Sequence, residues 1–409
     1  MKGKLEALGS ALEARMREKL AEALDYREAE SPEEGKVRGK ELRKEVPLAA
    51  HAAWHAAEDR PDPVQLLKEQ GASRVQELLP VRYERMAVSA FTFYRGGALI
   101  MASDLSGTPS TGITVQACGD AHISNFGMFN SPERHTVFDI NDFDETLPGP
   151  WEWDVKRLAA SVEICGRDRG FSAQERREMV LASVRSYRKA MRDFARQGNL
   201  DVWYAHLDVD YLRERVATAD VDEATVKKAN KALDKAKAKN SLRAVQKMTE
   251  VVDGKLRIIS DPPIIVPVRD LIAQNVGKQV AERFDEVGLE RLMRNVLAEY
   301  RMTLAPEKRH LIDQYTGVDI ARKVVGVGSV GTRAWIVVLR GASQDDPLVL
   351  QVKEAQESVL ERFVGKSRYR EHGRRVVEGQ RAMQTSSDML LGWCHVPDPD
   401  TRSEEHTSE

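Results

Sequence analysis

The glycine-rich stretch GVGSVGTRAW, Gly326 to Trp335, runs at once into IVVL, so the chain leaving the glycines is β-branched and apolar. That juncture constrains the fold more than any other in the sequence. Gly326, Gly328 and Gly331 fit G-x-G-x-x-G, a pattern shared by dinucleotide-binding and kinase-like loops. A dinucleotide loop must open a helix whose N-terminus meets the pyrophosphate, whereas AWIVVL has the composition of a strand. The loop is therefore expected to join two antiparallel strands, where glycine lets the backbone approach a phosphate with no Cβ in the way. Two readings stand at this point: a phosphate-binding loop over Gly326, Gly328, Ser329 and Gly331, and a bulged hairpin that binds nothing.

Lys353, in PLVLQVKEA, adds to the first reading. It sits in an apolar strand, where an unpaired ammonium is costly to bury, so it needs partners. A kinase-type site supplies nucleotide phosphates and a glutamate from the next helix. Glu378, in RRVVEGQRAMQ, is the expected glutamate, and Glu357 is the nearer alternative. On an edge strand Lys353 would snorkel to solvent and need neither. From Ile320 onward the expected order is strand, glycine loop, strand, turn, strand, helix, and a final strand at DMLLGWCHV.

A second chemical stretch stands far upstream. GITVQACGD and RHTVFDIND read as short strands with the turn MFNSPERH between them. GDAHISNFG puts Asp120, His122 and Asn125 past the first strand, and FDINDFDE puts Asp139, Asp142 and Asp144 past the second. Carboxylates gathered in this way repel one another unless a cation compensates, and Mg²⁺, an oxygen-seeking ion shared with substrate phosphates, is the expected one. A calcium loop of the EF-hand type fails, because Pro150 stands where the bidentate Glu belongs. A dinuclear metallophosphatase suits GDAH but wants more downstream histidines than His135 and His206.

These residues carry a resemblance. GDAHISNFG, DFDE and WEWDVKRLAAS are similar to the catalytic loop, metal-binding motif and following helix of the aminoglycoside phosphotransferase and choline kinase branch of the protein-kinase-like fold. More closely, VQACGDAHISNFG, FDINDFDETLPGPWEWDVKRLAAS, VGVGSVGTRAW, LQVKEA and VVEGQR resemble domain-of-unknown-function family 2252, over about Arg38 to Val396. The resemblance implies that Asp120 is the catalytic-loop aspartate, with His122 positioning. It implies that Asn125 and Asp142 are metal ligands, and that Asp154 holds the catalytic loop from the next helix. Two positions depart from the branch: Cys118 replaces a histidine, and Asp144 replaces the glycine of D-F-G, where it adds a metal ligand or alters the chemistry.

In kinases the glycine loop and lysine precede the catalytic loop, and here they follow it. A circular permutation of the fold accounts for that order, since a packed site does not depend on chain order. The expected architecture is α+β, a protein-kinase-like two-lobe fold, with a mostly helical lobe first and a small antiparallel β-rich nucleotide lobe last. The expected divisions are a charged helical arm over 1–45, a catalytic lobe over 46–318 with its loops at 119–145, and the β-rich lobe over 319–396. His51 and His55, at i and i+4, are expected on an amphipathic helix face. RSEEHTSE matches one reading frame of a sequencing adapter, so 397–409 is expected to be a non-native tail that leaves the last lobe truncated.

A net charge of −2 and the mixed Lys/Ala-rich segment after Val226 give no reason to expect nucleic acid. No apolar run suits a bilayer and no signal peptide opens the chain, so a cytoplasmic protein without a membrane partner is expected. Three scattered cysteines offer no disulfide framework. The expected function is phosphoryl transfer from ATP, with Mg²⁺, to a hydroxyl of an unknown small-molecule or protein acceptor. The alternatives are a catalytically silent nucleotide-binding module and a nucleotidyltransferase that attacks the α-phosphate.

Overall fold

Ser31 accepts the Glu34 amide at 3.3 Å while Glu34 reaches back to the Ser31 amide at 2.9 Å, a capping box that starts the Pro32–Glu45 helix. This helix buries no residue, as its unbroken charge suggests. The computed structural model describes residues 30–218, 222–237, 248–252, 255–273, 286–324, 326, 328 and 330–395. The chain divides into two units, 1–53 and 54–409. His51 lies in a 3₁₀ turn, Leu48–Ala52, and His55 in irregular chain, so the amphipathic helix expected there does not form. The expected tail at 397–409, like Ser329, lies outside the described residues.

The second unit is mixed α+β with small antiparallel sheets. Asp62 caps the Pro63–Gly71 helix by accepting the Gln65 amide at 2.8 Å, and three more short helices follow at Leu79–Ala87, Ala90–Arg95 and Ala98–Ser106. Next, β1 (Thr114–Ala117) pairs with β4 (Leu147–Pro150), and between them in sequence lies the β2–β3 hairpin (Phe126–Asn130, Thr136–Ile140), whose β3 also pairs with the short β5 (Leu207–Asp208). Residues 128–130, expected in the turn, thus belong to a strand, and the turn shrinks to 131–135, where Arg134 takes φ 68°. The arrangement leaves two loops side by side at the strand ends, 118–125 and 141–146. Leu66, Leu99, Ala102, Ala117, Leu147, Trp153 and Leu360 form the core beneath them, each such side chain worth about 1.5–3 kcal/mol on burial for the larger ones.

The long Trp151–Asp168 and Ala173–Phe194 helices follow, the second opened by a Ser172–Glu175 capping box. The largest sheet comes late and has the order β11-β10-β9-β8. Its members are β8 (Ile265–Pro267), β9 (Thr316–Lys323), β10 (Ala334–Arg340) and β11 (Pro347–Lys353). The AWIVVL segment is a central strand, its Ile336, Val338 and Leu339 buried, and the glycine stretch joins it to β9 antiparallel. The hairpin expected within GKLRIISDPPIIVPV is instead divided: β7 (Lys255–Ile258) pairs back onto β6 (Thr249–Val252), and β8 pairs with β9. Residues 389–395 form no strand, because side chains satisfy their backbone. Thr303 Oγ1 donates to Trp393 O at 3.0 Å, and Tyr300 donates to Leu390 O.

Candidate active site

At the end of β1 the chain must turn sharply under the second loop. Gly119 takes φ 81°, and a Cβ there would stand 2.4 Å from Glu145 O, so no other residue fits without displacing backbone. The turn is fixed from the first turn of the Trp151–Asp168 helix, where Asp154 accepts the Cys118 amide at 2.7 Å and the Gly119 amide at 3.0 Å. Asn125 closes the loop by donating Nδ2 to Asp120 O at 2.7 Å. Asp154 therefore acts on the backbone, as the resemblance implied.

One helical turn past Asp154, Arg157 donates Nε to Asp120 Oδ1 at 2.5 Å while its guanidinium lies 4.4 Å from the Tyr94 ring centre. Asp120 keeps 20% of its side chain exposed, so it is held yet reachable. Burial pushes its carboxyl up to about 6, against the pull of Arg157. His122 is buried, with Nε2 3.9 Å from Asp120 Oδ2. Burial, then Arg157 and Arg95, push its imidazole down to about 4, so it stands neutral beside Asp120 at pH 7. Arg157 was missed in the sequence, although its i+3 spacing from Asp154 in WEWDVKR puts both on the loop side of the helix.

In the second loop Phe143 is buried, and its neighbours Asp142 and Asp144 both meet Lys353 at the end of β11. Lys353 Nζ lies 3.4 Å from Asp142 Oδ1 and 3.6 Å from Asp144 Oδ2, across 211 residues of sequence to the former. Burial works against the lysine's charge, but Asp144 and Asp142 more than offset it and hold its pKa above the ordinary value. Burial and then repulsion from Asp142 push Asp144 up to about 6. Glu145, whose carboxylate accepts the Val359 amide at 2.7 Å, is pushed up to about 7 by burial.

The His372–Met383 helix fastens this loop with an arginine. Arg375 is 1% exposed and donates to Thr146 O at 2.6 Å, Asp144 O at 2.8 Å and Gln356 O at 2.8 Å. Glu378, expected opposite Lys353, has Arg381 at 3.8 Å, and a Glu378–Lys353 pair is not among the ion pairs of the described residues. Glu357 pairs with Lys366. Arg375 and Glu145 carried no readable signal, because their roles come from packing between distant segments.

The glycine stretch lies against the early helices. Gly331, at φ 89°, accepts the Val75 amide at 2.8 Å, Gly326 O accepts Arg85 Nη1 at 2.9 Å, and Arg74 Nη1 donates to Val330 O at 2.7 Å. A Cβ on Gly328 would come 3.0 Å from Arg95 O. Gly326 and Gly328 line one cavity of about 580 Å³ together with Asp120, His122, Asn125, Asp142, Asp144 and Glu145. Gly331 is instead a packing glycine, set against Arg74. A second cavity of about 570 Å³, around Lys308, Arg381 and Trp393, carries one carboxylate, Asp388, and no comparable cluster.

The donor set is oxygen-rich and suits a hard cation. Among the described residues no three acidic, histidine or cysteine side chains converge as a ready metal cage. Asp142, Asp144 and Asn125 fit the sparser pattern of Mg²⁺, which takes one or two carboxylates and completes its shell with water and phosphate oxygens.

With this geometry in view, residues 74–403 match the family described as "Uncharacterized protein conserved in bacteria (DUF2252)", and the chain belongs to that family. Neither a curated protein nor a solved structure matches the chain. No helix among the described residues is long and apolar enough to cross a membrane.

Proposed function

We propose that this chain is an ATP- and Mg²⁺-dependent phosphotransferase, built as a circularly permuted kinase-like fold, that acts on a hydroxyl of a small-molecule or protein acceptor. The observation that carries the reading is the meeting of Lys353 with Asp142 and Asp144 in front of Asp120, beside a cavity shared with Gly326 and Gly328. The antiparallel loop between β9 and β10, the lysine at the end of β11 and the anchored aspartate of the first loop support the same assignment of parts.

Each group has a task in that reading. Asp120, with a carboxyl near 6, accepts the acceptor's proton at neutral pH, while Arg157 keeps its oxygens aimed. The freed oxygen attacks the γ-phosphorus, the bond from that phosphorus to the bridging oxygen breaks, and ADP leaves with the electron pair. Asn125, Asp142 and Asp144 would hold Mg²⁺, which neutralises charge on the phosphate oxygens. Lys353, held by the same carboxylates, would meet a phosphate oxygen, and His122 stays neutral beside Asp120.

Incubation with γ-labelled or α-labelled ATP, Mg²⁺ and a bacterial extract tests the reading, with Asp142→Ala as control. Label should pass to an acceptor from the γ position alone and disappear in the variant. Transfer from the α position would replace it with nucleotidyl transfer, and ATP binding without transfer would leave a silent binding module.

A further inference from the structure

The carboxylates are not the only charged groups on this cavity. Arg74, Arg82 and Arg95, from the helical segment ahead of the first loop, line it too, and the transfer step described above leaves them without a task. Arg82 is 0% exposed and Arg74 is 8% exposed, yet neither forms an ion pair among the described residues. Arg82 Nη2 donates to Gln70 Oε1 at 2.8 Å and Gly96 O at 3.3 Å, and Arg74 Nη1 to Val330 O at 2.7 Å. That leaves Arg82 Nε and Nη1, Arg74 Nε and Arg95 Nε buried without an acceptor among the described residues.

Arg157 and Arg375, the other buried arginines among the described residues, differ in meeting a carboxylate, although Arg157 Nη1 and Arg375 Nε also lack an acceptor. Arg157 meets the Asp120 carboxylate, and Arg375 serves three carbonyls with Glu361 at 3.9 Å. Glu145, Asp144 and Glu354 act on Arg74 from beyond ion-pair distance, and a buried guanidinium with no paired carboxylate costs several kcal/mol. Burial and then the charge of Arg74 push Arg82 down to about 10, which still leaves it a cation at any physiological pH. Guanidinium forks with free N–H groups match the oxygens of a tetrahedral anion.

We propose that Arg74, Arg82 and Arg95 form an oxyanion subsite that takes a phosphate-class group, separate from the carboxylates that take the cation. The group comes either from the nucleotide itself or from a phosphorylated acceptor, and its place in catalysis rests on the phosphotransferase reading, although the binding does not.

Inorganic pyrophosphate titrated by calorimetry into the full chain, at fixed Mg²⁺, tests the subsite. Wild type should bind, and Arg82→Gln and Arg95→Gln should each weaken binding roughly tenfold or more, the size of one lost charged hydrogen bond. Arg95 is half-buried and has no hydrogen-bonded side-chain partner among the described residues, so Arg95→Gln keeps the test valid if Arg82→Gln fails to fold. Unchanged affinity in folded Arg95→Gln, or no binding by wild type, overturns the proposal. Competition between pyrophosphate and ATP assigns the subsite to the nucleotide, and simultaneous binding assigns it to the acceptor. If the arginine variants lose pyrophosphate but wild type transfers no label, the subsite stands and the phosphotransferase reading falls. If transfer proceeds undiminished in variants that have lost pyrophosphate, the phosphotransferase reading stands and the subsite has no place in the transfer.

Discussion

Asp120 owes its position in part to two residues that act on the backbone beside it, Gly119 and Asp154. Gly119→Ala would drive a Cβ to 2.4 Å from Glu145 O at a left-handed φ, and a loss of about 2–4 kcal/mol in unfolding free energy is expected from urea denaturation. The carboxyls of this region also set the pH dependence of stability. Asp120 and Asp144 are raised from 3.8 to about 6, and Glu145 from 4.5 to about 7, so folding favours their protonated forms. That stabilisation is complete below about pH 4 and is lost as pH rises through 6 to 7. His122, lowered from 6.5 to about 4, works the other way, and its contribution fades as pH falls from 6.5 towards 4. Urea midpoints should therefore drop between pH 5 and pH 8, and Glu145→Gln should remove about 1–3 kcal/mol of that drop. Asp120 and Asn125 drew notice as polar residues closely spaced in GDAHISNFG, and Asp154 only through the resemblance carried by WEWDVKRLAAS. Arg157 drew none, since its task appears only once Asp120 is buried.

Among the elements, the His372–Met383 helix does the most to shape the site, and it does so through residues the sequence left unmarked. A Cβ on Gly379 would meet Thr146 Cγ2 at 2.4 Å, so the glycine lets the helix sit close enough for Arg375 to reach three carbonyls of the loops. Arg375→Met should strip those carbonyls of their donor and cost about 3–5 kcal/mol, read from the urea midpoint. Gly379→Ala should also destabilise, by about 1–3 kcal/mol, with the 141–146 loop losing amide protection first. The motif VVEGQR drew notice to this helix for its glutamate, yet Glu378 is paired within the helix. Strands followed a similar division. β10 was readable from its β-branched run, whereas β2, with Gly127 and Asn130, has turn-like composition and is a strand only because β3 pairs along its full length.

Across the whole molecule, segments far apart in sequence share one cavity, and Lys353 with Asp142 is one of the contacts that join them. Lys353→Met leaves Asp142 and Asp144 adjacent with no shared cation. Melting at pH 8 is expected to fall by several degrees and to recover when Mg²⁺ is added, more than in wild type. The circular-permutation reading expected the glycine stretch to fold back over the acidic loops, but the sequence held no sign of which helices would support that stretch. Val75, Arg85 and Arg74 do so, bonding to Gly331, Gly326 and Val330. A flap free to fray could admit and release a molecule alone. Here the glycine stretch is tied at three points to the helical wall, so displacing it breaks those bonds or carries the wall along. Under the proposed activity, departure of the spent nucleotide would wait on movement of helices rather than on the suppleness of glycine.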